Sequence, residues 1–277
     1  MLMKGPLKRR TRKVNTTDKL KNAIRKELAS IEKAEAGLSK KAREHTVSYK
    51  DKIEAKIPKG VSSTLKGSFS KAFGIIFNRG VGIIEKSYDK SGIAADFDVQ
   101  NYAVDKKGSR KELKRLKRSA QKSDFLNMSI TTVEGVGLGA LGIGLPDIVI
   151  FIGMILKGVY ETALRYGYDY DSLREKYFIL TMMKTALSKG EDWDRFNSEV
   201  DSMLSFPCEV SEDDVKNEIE DTSGVFATDM IVLKFIQGLP IVGIVGGIFN
   251  PIYYSKVLNY VRLKYHKRYL LDKLASI

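Results

Sequence analysis

The chain has 277 residues, 43% of them hydrophobic and 29% charged, a globular composition long enough to bury a sizeable core. Its one cysteine, Cys208, excludes an internal disulfide framework and a cysteine-based zinc site, and the simplest compartment is reducing and intracellular. A formal net charge of +13 calls for an anionic partner, either nucleic acid or an acidic lipid surface, and the charge alone does not choose between them.

Residues 1–15 read as a disordered basic arm. Met1–Lys13 holds six Lys/Arg and no acid, and no apolar stretch of the kind a secretory signal needs follows it, so export is not expected. Leu20, Ile24, Leu28 and Ile31 recur at helical spacing, which predicts a helix from Thr17 to Ala36 stopped by Gly37. A second helix is predicted from Ser39 to Ile57, ended by Pro58, so that residues 16–58 form a helical hairpin ahead of one helical domain at 60–277. Residues 61–87 are strongly apolar but interrupted by Gly74, Gly80 and Gly82. Residues 88–108 have weak periodicity and read as a loop. Ser109 then opens a basic helix, Arg110–Lys122, whose only apolar residues are Leu113, Leu116 and Ala120; residues 106–122 carry a net +8.

Two Gly-rich apolar segments follow, each with a Gly-Leu-Pro turn, at Gly144-Leu145-Pro146 and Gly238-Leu239-Pro240. Pro146 suits the first turn of a helix, where a missing N–H costs nothing, and Asp147 suits its dipole. That helix is expected to reach Tyr166 and stop at Gly167, and the next to start at Asp171-Ser172 and end before Gly190. Residues 191–221 form an acidic block of net −10 anchored by Trp193, Phe196, Leu204 and Phe206. Pro251 opens a last helix, aromatic and basic together. The alternation that marks strands is missing, so the fold class is all-α, a helical domain built on two Gly-rich helical hairpins. An offset of 94 residues superposes the two tripeptides, and with them Tyr160 on Tyr254 and Leu164 on Leu258, a weak internal repeat.

Glycine inside a helix costs roughly 1 kcal/mol against alanine, so several together need a reason such as close helix packing or contact with lipid. Residues 135–156 approach the length of a membrane span, but Pro146 and Asp147 interrupt them and favour a hairpin, packed as core or dipping into one leaflet. The flanking cations, Lys111, Lys114, Arg115, Lys117 and Arg118 before one segment and Arg262, Lys264, Lys267 and Arg268 after the other, are candidates for binding anionic membrane.

The run Gly144-Leu145-Pro146-Asp147, then Glu161-Thr162-Ala163, then Tyr166-Gly167-Tyr168-Asp169, resembles the EcsC protein family. So do Leu239–Gly247, Asn250 and Tyr265–Lys273, and the resemblance covers roughly residues 60–275. It implies a mostly bacterial helical protein of a family named for a member encoded beside an ABC transporter. Beside the anionic lipid surface, a membrane protein is a further candidate partner.

The inventory for catalysis is thin. His45 and His266 are the only histidines and fall on different helices, both expected to be exposed, so a Ser/His/Asp triad or a histidine metal site is not expected. Ser68-Phe69-Ser70-Lys71 fits Ser-x-x-Lys, and so do Ser119 and Lys122 on a basic surface, which shows how readily the pattern arises. Asp147 and Glu161, acids in apolar surroundings 14 positions apart, are the candidate catalytic residues of a hydrolase; a helix-start acid and an i±4 ion pair to Lys157 or Arg165 are the structural alternatives. Asp169 is expected to cap the following helix. No metal or cofactor is expected. The reading is a non-enzymatic protein associated with anionic membrane at the cytoplasmic inner face, a transport accessory or membrane-acting effector, with a hydrolase as the alternative. A nucleic-acid binder ranks below both, because helix 110–122 has no aromatic for base stacking. The oligomeric state is open.

Overall fold

The computed structural model describes residues 15–44, 60–121, 145–206, 209–236 and 251–277. The arm at 1–14, the predicted helix beyond residue 44, His45, Gly144 and the turn Gly238-Leu239-Pro240 lie outside the described residues. Within them the chain is all-α: α1 (Thr16–Glu44), α2 (Val61–Ile75), a π-helical turn (Ile76–Gly80), α3 (Val81–Glu85), α4 (Lys90–Lys107), α5 (Arg110–Ala120), α6 (Leu145–Leu164), α7 (Leu173–Leu187), α8 (Gly190–Ser205), α9 (Glu212–Ile236) and α10 (Pro251–Ala275).

The centre is α7. Every residue from Phe178 to Leu187 is buried, because α8, α9 and α10 pack on it from different sides. A second layer sets α6 against α2, α4 and α10, and α1 lies across α4, α5, α8 and α10. Aromatic rings join the layers: Phe226 of α9 lies 5.4 Å from Phe69 and 5.7 Å from Phe73 of α2, and Tyr160 stacks on Tyr170 at 4.1 Å.

Two expectations about helix extent are corrected. The N-terminal hairpin is one continuous helix through Gly37 as far as Glu44. Gly37 does not take a positive φ, and α1 is held beyond it: Ser39 Oγ donates to Asp194 Oδ1 at 2.6 Å and Arg43 Nη2 to Asp194 Oδ2 at 2.7 Å. The segment read as a loop, 88–108, is mostly α4. Its periodicity is weak because only Ile93 and Val104 are buried on it, but its ends are firm: Asp89 Oδ1 accepts from the Gly92 N–H at 2.9 Å, and Gly108 closes it in the left-handed region at φ 54°.

Other boundaries fall as expected. Leu145-Pro146 open α6 with Asp147 in its first turn, and Gly167 ends the turn after it at φ 79°. Ser172 caps α7 by accepting from Glu175 N–H at 3.1 Å. That role falls to Ser172 and not Asp169, whose carboxylate is taken by the N–H groups of Tyr170 and Asp171 inside the loop. Two helices approach closely at Gly158: a Cβ on this residue of α6 would stand 2.6 Å from the Tyr254 hydroxyl of α10. Among the described residues no helix is long and apolar enough to cross a membrane.

Candidate functional site

The two candidate catalytic acids do not meet. Asp147 is exposed at the start of α6, whereas Glu161 is buried near its end. Fourteen residues of helix separate their Cα atoms by about 21 Å, too far for the two to share one bound substrate bond. Ser68 and Lys71 form no dyad, since the Ser68 hydroxyl donates to the Thr64 carbonyl at 3.0 Å; in the second pattern Ser119 Oγ accepts from Gln100 Nε2 at 3.0 Å, and Lys122 lies outside the described residues. Among the described residues no cluster of His, Cys, Asp or Glu has the arrangement to hold a metal ion.

The candidate membrane-binding cations divide into two groups with opposite surroundings. Those of α10 face inward, which corrects the expectation of a basic outer face there. Lys264 is 0% exposed and bonds Glu35 and, at 2.8 Å, Asp201. Lys267 bonds the same two acids at 2.9 and 2.8 Å. Arg268 makes a two-pronged bridge to Glu175 at 2.9 and 2.8 Å and lies 4.0 Å over the Tyr168 ring. Arg262 is half-buried and engaged with its surroundings. The cause is the acidic block. Asp194, Glu199, Asp201, Glu218 and Glu220 all pair with cations or hydroxyls of α1, α2, α7 and α10, so much of the −10 is consumed within the fold. Burial pulls the Lys264 ammonium below its ordinary pKa, against the carboxylates of Asp201 and Glu35.

His266 is likewise buried, at 0% exposure, not on an open face. Its Nε2 is 3.9 Å from Glu27 Oε2, beyond hydrogen-bond length. Burial holds its pKa below the usual 6.5. Glu27 is held at about 2, by the imidazole of His266 first and by the guanidinium of Arg110, against its own burial. The bond from Arg110 Nε to Glu27 Oε1 fastens the first residue of α5 to α1.

The second group, on α5, is open. Leu113, Leu116 and Ala120 are buried. Lys111, Lys114, Arg115 and Arg118 are exposed, and Lys117 is half-buried. No acid among the described residues lies in ion-pair range of any of the five; the acid of this helix, Glu112, faces Lys107 at 3.4 Å. Lys117 and Arg118 sit in the last turn, where the helix dipole favours cations. The arrangement presents a fixed row of positive charge that no acid among the described residues neutralises.

Sequence reasoning missed what stands beside this row. Val99 and Tyr102 of α4 are 70% and 63% exposed, unusual for large apolar side chains. Their spacing of i, i+3, opposite Ile93 and Val104, was the signal available.

The EcsC protein family matches residues 22–270, from inside α1 almost to the end of α10. The match takes in α1, which the resemblance had left outside. No curated protein and no solved structure matches the chain.

Proposed function

The chain belongs to the EcsC protein family, and we propose that it is a non-enzymatic, membrane-associated helical protein that binds the anionic inner face of the membrane through α5, as a transport accessory or membrane-acting effector. The observation that carries this reading is the contrast between the two cationic helices. The cations of α10 are neutralised by Glu35, Asp201 and Glu175, whereas the five of α5 have no acidic partner among the described residues. Each cation near an anionic bilayer contributes roughly 1 kcal/mol, so five give an attraction sufficient for reversible attachment. Salt weakens it, because exposed charges are screened over about 8 Å at physiological ionic strength. In sequence, α5 runs on toward the Gly-rich apolar stretch that ends at Gly144-Leu145-Pro146, which supplies the apolar half of the same attachment.

The test is cosedimentation with vesicles of neutral phospholipid containing about a third phosphatidylglycerol. Binding is expected at low salt, reduced at high salt, and lost in the variant Lys111→Glu/Lys114→Glu/Arg118→Glu. These three side chains are exposed, so circular dichroism should be unchanged. Absence of binding by the unaltered protein at low salt overturns the reading, and so does tighter binding to duplex DNA than to vesicles.

A further inference from the structure

Helices α4 and α5 are antiparallel neighbours, and their bonds fix how each is rotated. On α4, Gln100 and Lys107 reach α5, bonding Ser119 at 3.0 Å and Glu112 at 3.4 Å. Asn101 and Asp105 reach the other way to α10, bonding Tyr269 at 2.9 Å and Lys273 at 2.7 Å. Successive helical residues turn by about 100°. Val99 and Lys106 each precede an α5-facing residue by one position, so they are rotated outward on the α5 flank, away from α10. Tyr102 stands one turn along the same stripe, with the Lys106 ammonium 5.2 Å from its ring centroid, and the exposed Ala95 continues the stripe one turn earlier.

On α5, Glu112 and Ser119 face α4, and Leu113 and Ala120 face the core. Lys111 and Arg118 are therefore turned outward, and Arg115 is the cation turned nearest to α4. Because Gln100 is level with Ser119, and Lys107 with Glu112, Val99 and Tyr102 stand beside the last turn of α5, Lys117–Ala120, with Arg115 the next cation along the row. Two exposed acids, Asp96 and Asp98, lie on the earlier part of α4, and the segment from Lys106 onward is cationic. One surface thus carries an apolar stripe, an aromatic with a hydroxyl at its tip, and a row of cations.

We infer that Val99 and Tyr102 are the anchors of this surface in an anionic bilayer, inserting at the headgroup–acyl boundary while Lys106, Lys111, Arg115 and Arg118 remain among the phosphates. The inference rests on the membrane reading above and adds the residues that enter the lipid. A purely electrostatic partner gives no use for an exposed valine and alanine, whereas a tyrosine belongs at the interface, with its ring in the apolar zone and its hydroxyl in the wet one. Amphiphilic insertion beside a basic row is the physical mode of interfacial helices, whose binding adds buried apolar area to charge attraction.

The experiment compares three proteins on three probes: vesicles containing phosphatidylglycerol, heparin as a soluble polyanion, and single-stranded DNA. Val99→Ser/Tyr102→Ala should lower vesicle affinity about tenfold, on the scale of the apolar surface removed, and leave heparin binding unchanged. The charge variant Lys111→Glu/Lys114→Glu/Arg118→Glu should lose vesicles and heparin alike. Tyr102→Trp should keep wild-type vesicle affinity, and its added fluorescence over the buried Trp193 should be quenched by brominated phospholipid. If Val99→Ser/Tyr102→Ala binds vesicles as wild type does, or if Trp at 102 is not quenched, the anchors are overturned while attachment through α5 stands. If Val99→Ser/Tyr102→Ala weakens single-stranded DNA as much as vesicles, the tyrosine stacks on bases and the inference is also overturned. Failure of the unaltered protein to bind vesicles removes both readings together.

Discussion

Lys184 of α7 and Glu218 of α9 form an ion pair of 2.7 Å with both side chains only 3% exposed. The pair fastens α9 to the central helix, and Thr222, one turn along α9, donates to the Leu180 carbonyl at 3.3 Å. Removing one member of a buried pair leaves an uncompensated charge and costs about 3–5 kcal/mol, whereas replacing both by apolar residues of similar size is often neutral. Lys184→Met should therefore lower the chemical denaturation midpoint severely, and Lys184→Met/Glu218→Leu should recover most of it. A double variant as unstable as the single one would show that the cost lies in packing.

Stability should fall in acid through the Glu27–His266 contact. Glu27 is held at about 2 in the fold against an ordinary 4.5, so its contribution is present above about 4.5 and is lost as the pH falls toward 2. His266 is held below its ordinary 6.5 by burial, so the unfolded chain takes up that proton first, and stability already declines as the pH drops below 6.5. Urea midpoints from pH 7.5 to 4 should fall continuously. In His266→Phe the decline between pH 6.5 and 5 should shrink, and the part below 4.5 should shrink as well, because Arg110 alone then holds the Glu27 carboxylate down.

Gly37 gives a test of opposite sign. It lies inside α1 with open space where a Cβ would stand. Gly37→Ala should stabilise the protein by roughly 0.5–1 kcal/mol, the usual helix-interior difference. A helix stop there would instead make the substitution destabilising, so the thermal midpoint decides the matter.

At Gly108 the same substitution should do harm. Its φ is 54°, and a Cβ would lie 2.5 Å from the carbonyl oxygen of Thr16. Gly108→Ala should cost about 1–3 kcal/mol, combining left-handed strain with a backbone clash, read as a lower urea midpoint.

The parts of this fold legible in the sequence were those set by local chemistry. Leu113, Leu116 and Ala120 showed the buried face of α5, Pro251 the start of α10, and Ser172 with Asp171 the start of α7. What was illegible depended on partners far along the chain. Lys264 and Lys267 looked like surface cations because nothing nearby in sequence reveals Glu35, 229 and 232 residues away, or Asp201. His266 was misplaced for the same reason, since Glu27 and Arg110 come from other elements. Helix α4 was missed for a local reason: a helix burying just Ile93 and Val104 has too narrow an apolar stripe to stand out. The acidic block docks on its own chain through the ion pairs of Asp194, Asp201 and Glu218, whose partners are likewise remote in sequence.

The contact between Gly108 and Thr16 also fixes where the N-terminal arm is tethered. Thr16 is the first residue of α1 and abuts the turn between α4 and α5. Met1–Lys13, with its six cations, is therefore attached a few residues from the open row on α5. On the membrane attachment proposed above, two weak cationic elements joined at that point would act on a common anionic surface by effective concentration, and their combined avidity would exceed that of either alone without any new contact between them.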